Sequence, residues 1–375
     1  MPLDLSEAWS RIRTRRWVHV AAIVLALVLA GNLVFAFITL DPGAWRTLRS
    51  VSPAFLALGI VLTLVPMLTN TLRIWIWARF AGGKIGIRDT FQITLASDLG
   101  AAFTPTAAGG GAVRLAMLLG HGLPPGRASA VLVLTTVEDA IFFAVFLPLG
   151  VLLTSGTDGS SVRGILARAG ERAGLVLAGA LLLGLFLTFA WRRHSGRVKE
   201  RVGPRPHLRA MLQRGIGWWR QARGVFAQVL RRGKLRAVCS LSLTAVQWIS
   251  RYSVIAALLA AFGLEAAPLT HILLQWVVFT AGTLVPTPGG ATAMESAFAV
   301  VYHPFVPGPL LGTVTVLWRV LLFYLPLALD VVLLGAFVLG RRPTLNGRTR
   351  DRTADPPPPP PKTSSRPRPA GSPGC

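Results

Sequence analysis

Two oppositely charged pairs recur in this chain at one spacing: Arg114 with Glu138, and Glu295 with Arg319, since 138 − 114 and 319 − 295 are both 24. Asp98, Asp139 and Asp330 share the same apolar context. An unpaired charge at a bilayer centre costs about 2.5–3.5 kcal/mol, so seven of them would cost about 20 kcal/mol. Most must therefore be paired or wet. The spacing offers two pairs within repeated units or two pairs crossing between them. Asp330 is assigned to the final helix alone.

Beside these charges lie two Gly/Pro breaks. The first runs through Thr104, Pro105, Thr106, Gly109, Gly110 and Gly111, and the second through Pro286, Thr287, Pro288, Gly289 and Gly290. Laid on itself without a gap, the sequence superposes them at an offset of 286 − 105 = 181. Thr106 then falls on Thr287, Gly109 on Gly290, Arg114 on Glu295 and Glu138 on Arg319, with charge positions kept and signs reversed. Backbone interrupted in this way cannot face lipid. The N–H groups at a half-helix N-terminus, with the positive end of its dipole, can hold an anion such as a phosphate head group. Gly and Pro also serve simply to let helices pack or kink. Two related breaks favour a site. Its candidate substrate-binding residues are Pro105, Thr106, Gly109, Gly110, Arg114, Glu138, Pro286, Thr287, Gly289, Gly290, Glu295 and Arg319.

The elements that must position these residues are membrane spans. The chain of 375 residues is 52% hydrophobic and 14% charged, with a mean hydropathy of +0.56. That excludes an ordinary soluble domain. Apolar runs predict spans over about 18–40, 53–77, 128–153, 173–191, 237–262 and 310–339. Broken segments fall at 90–119 and 271–301. Pro326 is expected to kink the last span. Arg73, Arg79, Lys84 and Arg88 are read as a cytoplasmic end, with Trp75 and Trp77 in the interfacial belt. Residues 192–236 hold 14 Lys or Arg against Glu200, a charge of +13 that places this loop in the cytoplasm. Within it, Leu208, Leu212, Ile216, Trp219, Ala222, Phe226 and Val229 recur at helical spacing. This predicts an amphipathic helix, lying on an anionic membrane surface or packed under the bundle.

The fold class is therefore an all-α polytopic membrane protein of about six spanning helices plus two broken or re-entrant segments. Residues 1–17 form a cytoplasmic N-terminus, 18–340 the transmembrane domain, and 341–375 a disordered Pro-rich cytoplasmic tail. Counting spans from a cytoplasmic N-terminus makes the units at about 52–154 and 233–335 an inverted repeat, a common build for transporters. The net charge of +24 tracks cytoplasmic loops, and no nucleic-acid motif accompanies it. Cys239 and Cys375 make neither a disulfide framework nor a metal set. No cofactor is expected.

Pro286, Thr287, Pro288, Gly289 and Gly290 with Glu295, then Trp318 to Pro326, resemble the lysylphosphatidylglycerol synthase transmembrane region family, a flippase-like membrane family. Gly110 to Arg114 is similar to its N-terminal glycine element, with departures at Gly111, Asp139 and Thr292. The resemblance covers roughly residues 15–340 and adds Tyr324 to the candidate site. It implies a stand-alone membrane region without the synthase domain, moving an anionic or modified lipid head group between leaflets through a midplane cavity. Membrane lipids are then the partners, a second copy of the chain is an allowed one, and the bacterial cytoplasmic membrane is the expected location. Two other readings stay open: an intramembrane enzyme using Glu138, Asp139, Glu295, His271 and His303, or an accessory subunit. No nucleophile constellation accompanies those acids and histidines.

Overall fold

The computed structural model describes residues 51–104, 107–154, 164, 206–284 and 293–340. The expected spans at 18–40 and 173–191, both terminal segments, and Pro105, Thr106, Pro286, Thr287, Gly289 and Gly290 lie outside the described residues. Among those described there is no strand. The first unit contains α1 (Pro53–Phe80), α2 (Ile87–Ala102), α3 (Ala108–Gly120) and α4 (Pro125–Leu153). An intervening helix α5 (Pro206–Arg232) leads to α6 (Lys234–Ala261), α7 (Pro268–Leu284), α8 (Ala293–Tyr302), α9 (Gly308–Arg319), a π turn (Val320–Tyr324) and α10 (Leu325–Gly340). Residues 1–335 form one compact unit; the second, 336–375, is described only over the end of α10.

Among the described residues, four stretches are long and apolar enough to cross a membrane: α1, α4, α6 and Gly308–Phe337. At about 1.5 Å per residue the 28 residues of α1 reach about 42 Å. The 16 residues of α2 and 13 of α3 reach only about 24 and 20 Å, short of a hydrocarbon core about 30 Å thick. The first broken segment is thus a helical hairpin.

The offset of 181 reappears in the helix boundaries. Adding it to Pro53–Phe80 gives 234–261, the bounds of α6, and adding it to Ile87 gives 268, the first residue of α7. The terminations repeat as well. Gly82 and Gly263, again 181 apart, take φ of 87° and 70° after α1 and α6. Gly82 N–H donates to Arg79 O and Gly83 N–H to Ala78 O; Gly263 N–H donates to Ala260 O and Leu264 N–H to Leu259 O. Both helices therefore end in the same Schellman motif, whose left-handed position suits a residue without Cβ.

These counterpart helices make the most extensive interhelical packing of the described residues, and they run antiparallel. Ser52 N–H, at the start of α1, donates to Ala261 O at the end of α6 over 2.9 Å. At the other end, the Phe80 ring sits against Gly233, just before α6. These two counterpart helices thus point in opposite directions, which the inverted-repeat expectation requires of them.

The core is divided accordingly. Ile74, Trp77, Ile93, Leu118, Val131 and Val225 pack in the first unit with α5, and Val254, Leu258, Leu274, Phe298, Tyr302 and Trp318 pack in the second. The amphipathic helix forms as predicted over Pro206–Arg232. Val225 buries beneath α4, and Gly126 N–H, in the first turn of α4, donates to Gln221 Oε1 at 3.2 Å. Val61, Leu68, Val145, Val300 and Val332 stay exposed on the spans and on α8, where lipid can cover them.

Candidate functional site

A cavity of about 350 Å³ opens between the two units. The first unit contributes Thr63 and Met67 from α1, Asp98 from α2, and Thr104 and Ala107 from the two sides of the first break. From the second come Arg251 on α6, Phe279 on α7, Met294 on α8, Trp318 and Arg319 on α9, and Asp330 on α10. The walls are mainly apolar, with two acids and two arginines set into them.

Arg319 is held by local chemistry at the end of α9. Its Nε donates to Glu295 Oε1 at 2.9 Å, and both side chains are almost wholly buried. Its guanidinium also lies 4.9 Å from the centre of the Phe323 ring, a cation–π distance, and 3.6 Å from Met294 Sδ. The helix changes winding immediately afterwards: Leu325 N–H reaches back five residues to Val320 O, ahead of Pro326, which has no N–H to give. The kink expected at Pro326 takes this form. Tyr324 stands in the field of the Arg319–Glu295 pair but does not line the cavity. Behind Arg319, Trp318 stacks on Phe298 and donates to Gln275 Oε1 at 2.9 Å. Gln275 Nε2 in turn donates to Tyr302, so α7, α8 and α9 are fastened together.

The first unit distributes its charges differently. Glu138 does not meet Arg114. Its partner is Arg73, whose Nε donates to Glu138 Oε2 at 3.1 Å, while Trp77 Nε1 donates to Glu138 Oε1 at 2.7 Å. Arg73 also reaches Asp139 Oδ1 at 3.0 Å, Thr135 O at 2.7 Å and Gln247 Oε1 of α6 at 3.0 Å. Only 1% exposed, Arg73 is a buried hub rather than the interfacial marker its place near Arg79 suggests. Glu138 belongs to that hub and not to the cavity. Asp139 is held there too and accepts from Trp248 Nε1 at 2.9 Å.

Half-buried Arg114 lies in the field of Asp98, and its Nε has no hydrogen-bond partner. Neither pair crossing the units, Arg114–Glu295 or Glu138–Arg319, is the one formed. The only unit-internal pair of the predicted spacing that forms is Glu295–Arg319.

Gly109 and Gly110 serve the hairpin. A Cβ on Gly110 would stand 2.8 Å from Ser97 O, and one on Gly109 would strike Thr104 and the Gly100 carbonyl. Thr104 staples the turn, donating to Gly100 O at 2.9 Å and accepting from Gly109 N–H at 2.8 Å. Gly110 N–H donates to Ala107 O. The Gly109 and Gly110 N–H groups at the start of α3 are thus engaged inside the hairpin. In the second unit, Gly282 lies directly against Met294, so α7 and α8 also approach closely.

Of the predicted site residues that are described, the cavity thus receives Arg319, with Glu295 beside it. Arg251, Asp98 and Asp330 complete its charges. Asp330 is not confined to the final helix, because it faces the same space as Asp98. Arg251 had a signal in the sequence, as the sole charged residue between Ala237 and Phe262. Of the groups in the enzyme reading, Glu138 and Asp139 share Arg73, Glu295 holds Arg319, His271 is buried against Tyr302 and Phe305, and His303 is exposed.

A family model described as the lysylphosphatidylglycerol synthase TM region matches residues 9–329. The chain belongs to that family. It is also similar to a UPF0104 membrane protein of Archaeoglobus fulgidus, at 22% identity over 317 residues, covering 80% of this chain and 92% of that protein. The chain is a multi-pass membrane protein of this family, built on an all-helical framework.

Proposed function

We propose that this chain is a lipid translocator that moves an anionic or modified head group between leaflets, without catalysis. The observation that carries this reading is the charged cavity between the two units, walled in part by helices too short to cross a hydrocarbon core. A head-group phosphate entering it would meet Arg251 and Arg319, whose fixed charges replace part of its hydration. Glu295 keeps Arg319 in position, and the acyl chains remain against the exposed apolar faces of the spans.

In this reading the end carrying Arg79, Lys84, Arg88, Arg127, Arg223 and Arg236 faces the cytoplasm of a bacterial cell, by the positive-inside rule. Both termini then lie on that side. Purified chain in vesicles should accelerate leaflet exchange of labelled anionic phospholipids. Arg251→Ala and Arg319→Ala should each lower that rate about tenfold or more, the loss of roughly one charge-assisted contact. Unchanged exchange across anionic, zwitterionic and aminoacylated head groups, relative to empty vesicles, defeats the proposal.

A further inference from the structure

The cavity's charges balance in number but not in contact. Arg319 is paired with Glu295, and Asp98 lies in the fields of Arg114 and Arg251. Asp330 is left, only 2% exposed, with Oδ1 lacking any hydrogen-bond partner. Another acid, Asp98, lines the same cavity from the opposite unit. Taking a bare carboxylate into an apolar interior is so costly that such a group takes up a neutralising cation.

We propose that Asp98 and Asp330 form a binding site for one monovalent cation, a proton or Na⁺, at the interface of the two units. Asp330 supplies the unsatisfied oxygen and Asp98 the second carboxylate. Arg251 and Arg319, facing the same cavity from α6 and α9, limit the site to a single positive charge. Occupancy would tie α2 of one unit to α10 of the other, so binding alters how the units are held across the cavity. The site rests on the cavity geometry; only its coupling to lipid movement rests on the translocator reading.

The test uses the full chain in detergent, followed by thermal unfolding in NaCl against choline chloride at equal ionic strength, and across mildly acidic to mildly alkaline buffers. A midpoint shift of about 3 °C or more is expected with Na⁺ or with pH, which distinguishes the two cations. Asp330→Asn, nearly identical in shape and permanently neutral, should abolish that shift, and Asp98→Asn should reduce it. Should Asp330→Asn fail to fold, Asp98→Asn decides alone. A wild-type chain indifferent to both cations, or variants that respond as the wild type does, overturns the site.

In vesicles, wild-type lipid exchange should follow an imposed Na⁺ or pH gradient, and whatever exchange Asp330→Asn retains should not depend on that gradient. A cation-linked midpoint shift without any lipid exchange overturns the translocator reading and upholds the site. Lipid exchange without a cation-linked shift does the reverse.

Discussion

The two units share a backbone plan and divide its chemistry. In the second, Glu295 and Arg319 pair over 24 residues at the cavity wall, on helices fastened by Gln275, Tyr302 and Trp318. In the first, the equivalent positions have separated. Glu138 joins Arg73, Asp139 and Gln247 in a hub reaching across to α6, and Arg114 turns towards Asp98. An inverted repeat therefore preserves where helices start, break and stop, while its ion pairs are free to diverge. One unit presents an arginine to the cavity, and the other locks the units together.

This contrast can be broken most directly at its premise. In a background lacking Cys239 and Cys375, His121→Cys after α3 and His303→Cys after α8 should be labelled by an impermeant thiol reagent from opposite sides only. Both sites are exposed at the end of counterpart half-helices. Labelling of both from one side would end the inverted description.

The next largest effect is expected at the hub. Arg73→Ala leaves Glu138 buried without its cation and should destabilise the fold by about 3–5 kcal/mol, read by thermal or denaturant unfolding. Glu295→Arg combined with Arg319→Glu should recover at least about 1 kcal/mol of the stability lost by the two single changes, since a pair in contact couples in a double-mutant cycle. Recovery of stability without recovery of lipid exchange would separate the pair's structural role from Arg319's role in the cavity. Adding Glu138→Arg to Arg114→Glu should recover nothing, because those residues are not partners.

The smallest effect compares adjacent glycines. Gly110→Ala drives a methyl against the Ser97 carbonyl and should cost about 1–3 kcal/mol. Gly111→Ala meets nothing nearer than Leu132 at 4.0 Å and should be neutral or slightly stabilising.

Helix boundaries were legible because Pro, Gly and apolar runs act locally. The break after Ala102, the amphipathic α5 and the offset of 181 all follow from neighbours in sequence. The partners of the charges were not legible in the same way. Arg73 lies 65 residues from Glu138 and 174 from Gln247, so its contacts exist only once α1, α4 and α6 are packed. Its place near Arg79 resembles a span's end, yet a side chain turned inward from the last turns of a helix can still be buried. Asp330 shows the same limit: helical periodicity gives it a face but not the acid opposite. The spacing of 24 offered Glu295–Arg319 as one of two pairings, and it forms because those residues lie on consecutive helices folded back on each other.

The antiparallel α1–α6 pair has a mechanical consequence. Each helix packs on its own counterpart, joined at one end by Ser52 and Ala261 and meeting at the other through Phe80 and Gly233. An exchange of conformations between the units, the first adopting the second's form and the second the first's, maps this pair onto itself. In the translocator reading, such an exchange would leave this pair in place.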